Sequence, residues 1–170
     1  VRPALGQNVA NPVFAEELAA PDGSQYSTGG SGAPMVLLHG MGLDRHMWSA
    51  SAAHLTDTYL VVAPDLLGHG GSAAPACEVT LQDLVDQVLA LLDHLQLERA
   101  SVVGFDFGGL VAIALAARAP ERVSGLGLIG TPHSRLKAQR DSIRQRIVQA
   151  SRHGPAANAD SAIQRWFSAA

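Results

Sequence analysis

The chain has 170 residues, 47% of them hydrophobic and 16% charged, with a net charge of −3 and a single cysteine, Cys77. This describes a globular domain long enough to bury a core; it excludes a disordered chain, a disulfide framework and a binder of nucleic-acid phosphates, which needs excess cation. No apolar run reaches membrane-span length and no basic-then-apolar leader opens the chain, so the expectation is a cytoplasmic protein without membrane or nucleic-acid partners.

Residues 1–20 carry no hydrophobic period beyond Val13-Phe14. Glycine and serine from Gly23 to Gly32 predict turns or a hairpin. Met35 to Leu38 is a continuous apolar run, the form of a strand covered on both faces, and the turn His39-Gly40-Met41-Gly42 follows it. Asp44 to Leu55 predicts a helix with Asp44 as its N-cap, and Tyr59 to Ala63 the next buried strand. Pro64-Asp65 then opens a glycine-rich loop. Thr80 to Leu95 is the strongest helical pattern: Leu81, Leu84, Val85, Val88, Leu91, Leu92 and Leu95 form one apolar stripe, and Thr80 with Asp83 forms a capping box. Ala100 to Gly104 predicts a strand, Phe107 to Arg118 an alanine-rich helix and Val123 to Ile129 another strand. Strands alternating with helices in this way indicate a parallel sheet covered on both sides. Past the turn Gly130-Thr131-Pro132-His133 the pattern becomes helical, over Ser134–Ser151 and, after a break at His153-Gly154-Pro155, over Ala159–Trp166. The segment from Arg135 to Arg152 is basic, which reads either as a solvated helix face or as a cover over an anionic substrate.

One stretch carries chemistry. In Gly104-Phe105-Asp106-Phe107-Gly108 a reactive side chain has a glycine two residues before it and two after, where a strand gives way to a helix. A sharp strand-to-helix turn bearing a nucleophile needs this spacing, because the neighbouring backbone must approach without a Cβ. Leu37-Leu38-His39-Gly40-Met41-Gly42, Pro64-Asp65-Leu66-Leu67-Gly68-His69-Gly70-Gly71-Ser72 and Pro120-Glu121-Arg122-Val123 accompany it in order. With these motifs the chain resembles the α/β-hydrolase superfamily, over roughly Asp22 to its last residue.

The resemblance implies an α/β fold, a mostly parallel sheet covered by helices, present here as its amino-terminal part: residues 1–133 as core and 134–170 as the start of a helical lid. It implies catalysis by Asp106, with the backbone N–H groups of Phe107 and Met41 as an oxyanion site. His39, Gly40, Gly42, Phe105, His133 and Trp166 are then expected to line the substrate. An aspartate suits an sp³ carbon, where its attack leaves an ordinary ester; on an acyl carbon it would leave a mixed anhydride. Asp106 therefore resembles the nucleophile of epoxide hydrolases and dehalogenases, and Phe107 the aromatic that follows it there. The turn His39–Gly42, which lacks the proline of epoxide hydrolases, and the segment Arg165-Trp166-Phe167 instead resemble enol-lactonases and other ester hydrolases. The alternatives are an ester or lactone hydrolase scaffold whose serine has become aspartate, and a non-catalytic ligand-binding homologue or half of a split heterodimer. His39 and His69 read as ordering their turns, Asp65 as structural, and His46, His54, His94 and His153 as surface residues. The family's base and acid lie beyond residue 170, so a second chain supplying the rest of the fold is a candidate partner beside a small-molecule substrate. No metal or cofactor is implied.

Overall fold

A computed structural model describes residues 16–73, 78–132 and 134–166. A six-stranded sheet runs in the order β1-β2-β4-β3-β5-β6. β1 (Glu16–Ala19) and β2 (Gln25–Gly29) form an antiparallel hairpin, and β2 pairs antiparallel with β4 (Tyr59–Pro64). β3 (Ala33–Leu38) lies parallel between β4 and β5 (Ala100–Phe105), and β5 pairs parallel with β6 (Val123–Ile129). The glycine- and serine-rich zone thus holds a hairpin. β1, with only Leu18 and Ala19 apolar, has too few residues to show an alternation.

Side chains of the central strands divide between two cores. Val36, Leu38, Val62 and Val102 face one cluster with α2 (Leu81–His94) and α3 (Phe107–Arg118), while Leu37, Val61 and Ala63 face Trp48 and Ala52 on the other side. Burial on both faces is why these strands read as unbroken apolar runs. α2 lays Leu84, Val85, Val88, Leu91 and Leu92 into the first core, each fully buried aliphatic side chain contributing about 1.5–3 kcal/mol. Its first turn is closed by the predicted box: the Thr80 hydroxyl accepts from the Asp83 N–H at 3.3 Å and the Asp83 carboxylate accepts from the Thr80 N–H at 2.8 Å. The carboxylate accepts from the Thr80 hydroxyl as well, at 2.6 Å, and that bond together with the one from the Thr80 N–H holds the exposed Asp83 carboxyl below its ordinary pKa. Thr80→Ala is expected to lower stability by about 1 kcal/mol, read as a shift of the urea midpoint at unchanged slope; an unshifted midpoint would make the cap energetically idle.

Between β3 and β4, the Asp44 side chain accepts from the His46 N–H at 2.9 Å as expected of a cap. The predicted helix is divided, however, into a 3-10 turn over Arg45–Trp48 and then α1 (Ser49–Leu55). At this turn Arg45 is buried. Its backbone N–H reaches Asp65 Oδ1 at 2.8 Å, its Nε reaches Ser27 at 2.9 Å, and its guanidinium pairs with Asp65 Oδ2.

The cover over β6 is thinner than a sheet packed on both faces requires: Leu126, Leu128 and Ile129 are 45%, 46% and 46% exposed. The described residues fall into two compact units, parted after Pro132. In the second, α4 (Lys137–His153) buries no residue and carries a Lys137–Asp141 ion pair at 2.9 Å; Asn158, just before α5 (Ala159–Trp166), donates to the Arg146 carbonyl at 2.9 Å. No helix among the described residues is long and apolar enough to cross a membrane.

Candidate active site

β5 ends at Phe105 and α3 begins at Phe107, so Asp106 alone makes the turn. Its backbone lies at φ 46°, ψ −109°, a region that L side chains rarely adopt. The turn is held from three sides. Asp106 N–H donates to the Ile129 carbonyl at 2.9 Å, its own carbonyl accepts from Gly109 N–H at 3.2 Å, and β5 is locked between β3 and β6. The flanking glycines are sterically required. A Cβ on Gly104 would enter the Gly108 and Gly109 backbone, and one on Gly108 would enter the carbonyls of Leu38 and His39. Asp106 is half-buried, and its carboxylate makes no hydrogen bond or ion pair among the described residues.

The end of β3 comes up against this turn. A Cβ built on Gly40 would lie 3.4 Å from Asp106 Cβ and 2.8 Å from the Phe105 ring. Gly40, Gly42 and Phe105 thus belong to one neighbourhood or its immediate turn. Gly40 carbonyl accepts from Leu43 N–H at 3.2 Å, closing a turn in which Gly42 takes φ 75°. The Met41 N–H has no partner among the described residues, and its side chain is half exposed. Phe107, first residue of α3, has an N–H without an intrahelical acceptor. The positive end of the helix adds to the field there. Asp106 thus stands at the start of α3 and beside the Gly40 turn, and backbone amides polarise an ester carbonyl wherever they point at its oxygen.

His39 is fully buried between the turn and the loop after β4; its Nε2 accepts from Leu66 N–H at 2.9 Å and its Nδ1 sits 2.9 Å from the Gly40 carbonyl. His69 donates from Nδ1 to the Leu67 carbonyl at 3.1 Å, and its ring lies 5.1 Å from that of His39. His46, His54, His94 and His153 are exposed. No histidine among the described residues hydrogen-bonds to Asp106, and none forms a metal-holding cluster with cysteine or carboxylate. His133 and the Trp166 side chain lie outside the described residues.

Two features here have no signal in the sequence. Arg45 anchors the loop after β4 across a separation of 20 residues, and a lone arginine carries no pattern. Thr131, on the turn after β6, has a buried hydroxyl without a partner, set where a Cβ on Gly109 would go.

A family model described as the alpha/beta hydrolase fold matches residues 33–157. The chain belongs to the α/β-hydrolase fold family. Within this family it is 32% identical over 157 residues to 3-oxoadipate enol-lactonase 2 of Acinetobacter baylyi, covering 91% of this chain and 58% of that protein. The enol-lactonase structure from Burkholderia xenovorans LB400 superposes with a TM-score of 0.81 at 32% identity, over 91% of this chain and 60% of that one. The epoxide hydrolase VrEH1 of Vigna radiata matches with a TM-score of 0.67 at 25% identity, over 82% of this chain and 47% of that one. The chain spans less than two thirds of the length of each of these α/β-hydrolase fold proteins.

Proposed function

We propose that the chain is the nucleophile-bearing core of a hydrolase in which the Asp106 carboxylate attacks an sp³ carbon of an epoxide or alkyl halide. The observation that supports this is the Asp106 backbone. A non-glycine residue at φ 46° costs about 1–3 kcal/mol, and the carboxylate so placed makes no hydrogen bond or ion pair among the described residues. Glycine would relieve the strain; an aspartate kept there is kept for its side chain.

In the first step a carboxylate oxygen of Asp106 forms a C–O bond as the carbon's bond to halide, or to the epoxide oxygen, breaks with its electron pair. Halide departs as the anion; an epoxide oxygen must take up a proton. In the second step water adds to Cγ of the alkyl ester, the carbonyl oxygen takes the negative charge facing the Met41 and Phe107 amides, and collapse releases the alcohol. Asp106 retains one oxygen from water. The base that activates this water, and the acid that orients it, come from outside residues 1–170. The exposed leucines and isoleucine of β6 suit an edge that further polypeptide covers, whether of the same chain or a second one. The helices of residues 134–170 are read as the start of a lid.

Turnover of an epoxide or haloalkane by the full protein in ¹⁸O-water is expected to place ¹⁸O in the Asp106 peptide, seen by mass spectrometry. Turnover with an unlabelled peptide overturns the mechanism.

The identity to enol-lactonases favours a second reading, an ester or lactone hydrolase scaffold with aspartate in the serine position. On that reading Asp106→Ser gains ester hydrolysis, measured with a chromogenic ester, and wild type turns over neither substrate class.

A further inference from the structure

We infer that His39 is a positioning residue, whose neutral ring aims the Met41 amide at the ester that Asp106 forms. The inference rests on the Asp106 reading for the identity of that ester, and on the bonds of the ring itself for the rest.

A backbone N–H can only donate, so the 2.9 Å contact from Leu66 N–H makes Nε2 of His39 an unprotonated acceptor. The ring proton is then on Nδ1, which donates to the Gly40 carbonyl at 2.9 Å. One tautomer satisfies both contacts, and the protonated ring satisfies only one. The Gly40 carbonyl is therefore pinned twice, by His39 and by Leu43 N–H. The peptide joining Gly40 to Met41 is trans and planar, so its C=O and N–H point in opposite directions. Holding the carbonyl on the buried imidazole turns the Met41 N–H away from the ring, and it has no partner among the described residues. Gly40 stands against the Asp106 turn. The imidazole thus fixes the orientation of an amide that it does not contain.

Burial pushes the His39 pKa below the ordinary histidine value; the Gly40 hydrogen bond opposes this and neighbouring His69 assists it. The other titratable groups around the ring are Asp44 on the turn before α1, Asp65 after β4, whose charge meets Arg45, and Asp106 across the Gly40 turn. A histidine kept neutral by the fold adds stability that is fully present above its unfolded pKa, about 6.5, and is lost as pH falls through the lower folded value. Protonation at Nε2 removes the acceptor of the Leu66 N–H while Nδ1–H still holds the Gly40 carbonyl, so Leu66 is the amide expected to be released as the folded ring titrates.

The test uses the full protein labelled uniformly with ¹⁵N, and a His39→Gln variant, whose amide oxygen replaces the Nε2 acceptor but which lacks the Nδ1 donor. Two-bond ¹H–¹⁵N spectra are expected to show His39 protonated at Nδ1 and bare at Nε2, with the Leu66 amide shifting as it loses its acceptor when the ring titrates at acid pH, and the Met41 amide shifting in His39→Gln. Protonation at Nε2 at neutral pH overturns the inference, and this measurement needs no variant. Oxyanion donors act on ester hydrolysis and not on its formation. His39→Gln is accordingly expected to slow the second step by about a hundredfold, so that alkylated Asp106 accumulates in the mass spectrum while alkylation itself keeps its rate. Equal rates of the second step in a folded variant overturn the inference. A wild type that turns substrate over without ever labelling Asp106 overturns the nucleophile reading alone; the tautomer and the Met41 amide shift in His39→Gln still decide the role of His39.

Discussion

Asp106→Gly is expected to make the protein more stable and to end its turnover. The turn places residue 106 at φ 46°, ψ −109°, where any Cβ crowds its own backbone, at about 1–3 kcal/mol. Glycine removes that strain and loses about 0.5–1 kcal/mol of it again through its freer unfolded chain. A net gain of about 1 kcal/mol remains, or about 3 °C in the melting temperature of a domain of this size. Because the Asp106 carboxylate makes no hydrogen bond or ion pair among the described residues, no polar contact there opposes the gain. Activity moves the other way. Removing the nucleophile is expected to cut kcat by at least about four orders of magnitude, measured on the full protein with the epoxide or haloalkane that labels Asp106. A variant that melts lower than wild type would mean that the strain is illusory; one that keeps its rate would mean that the carboxylate is not the nucleophile. Stability and activity trade against each other here at one residue, as expected where a strained backbone serves a side chain.

Legibility in the sequence followed the range of the forces involved. α2 was readable because its stripe of leucines and valines, and the Thr80–Asp83 box, are local patterns that packing then confirmed. β3 and β4 were readable because burial on both faces makes them continuously apolar. The turn at Asp106 was readable because its glycines are dictated by backbone contacts a few residues away. β1 was not, since four residues at a sheet edge, two of them glutamates, carry no period. The division of the Asp44–Leu55 segment into a 3-10 turn and α1 was also hidden, because its cause lies elsewhere. Arg45 is drawn in by Ser27 and Asp65, and neither is near it in sequence. The two bonds of His39 were hidden for the same reason: the sequence suggests a histidine that orders a turn, and only the Leu66 amide defines which nitrogen carries the proton.

The loop that supplies Leu66 depends on Asp65, and there the largest loss of stability is expected. The Asp65 side chain is fully buried; it accepts from Arg45 N–H at 2.8 Å and Gly71 N–H at 2.7 Å, and pairs with the Arg45 guanidinium. Its main chain is bound as well, to the Ser72 hydroxyl, Gln87 Nε2 and the Gln25 carbonyl. Gly70 is glycine for the same reason, since a Cβ there would enter the carboxylate. Asp65→Ala leaves Arg45, itself buried, with Glu17 at 3.4 Å as its remaining carboxylate, and that side chain is mostly in solvent. Breaking a buried pair from one side costs about 3–5 kcal/mol, a large part of the about 5–15 kcal/mol that holds a domain together. The double variant Asp65→Leu with Arg45→Met removes both charges and is expected to lose less than Asp65→Ala alone. Urea denaturation of the three proteins decides the point. Were the double variant the least stable, the attraction between the charges, rather than the desolvation of an orphaned arginine, would set the strength of this joint. A loss below about 1 kcal/mol in Asp65→Ala would show that the loop, and with it the Leu66 amide that fixes His39, is held by its backbone contacts instead.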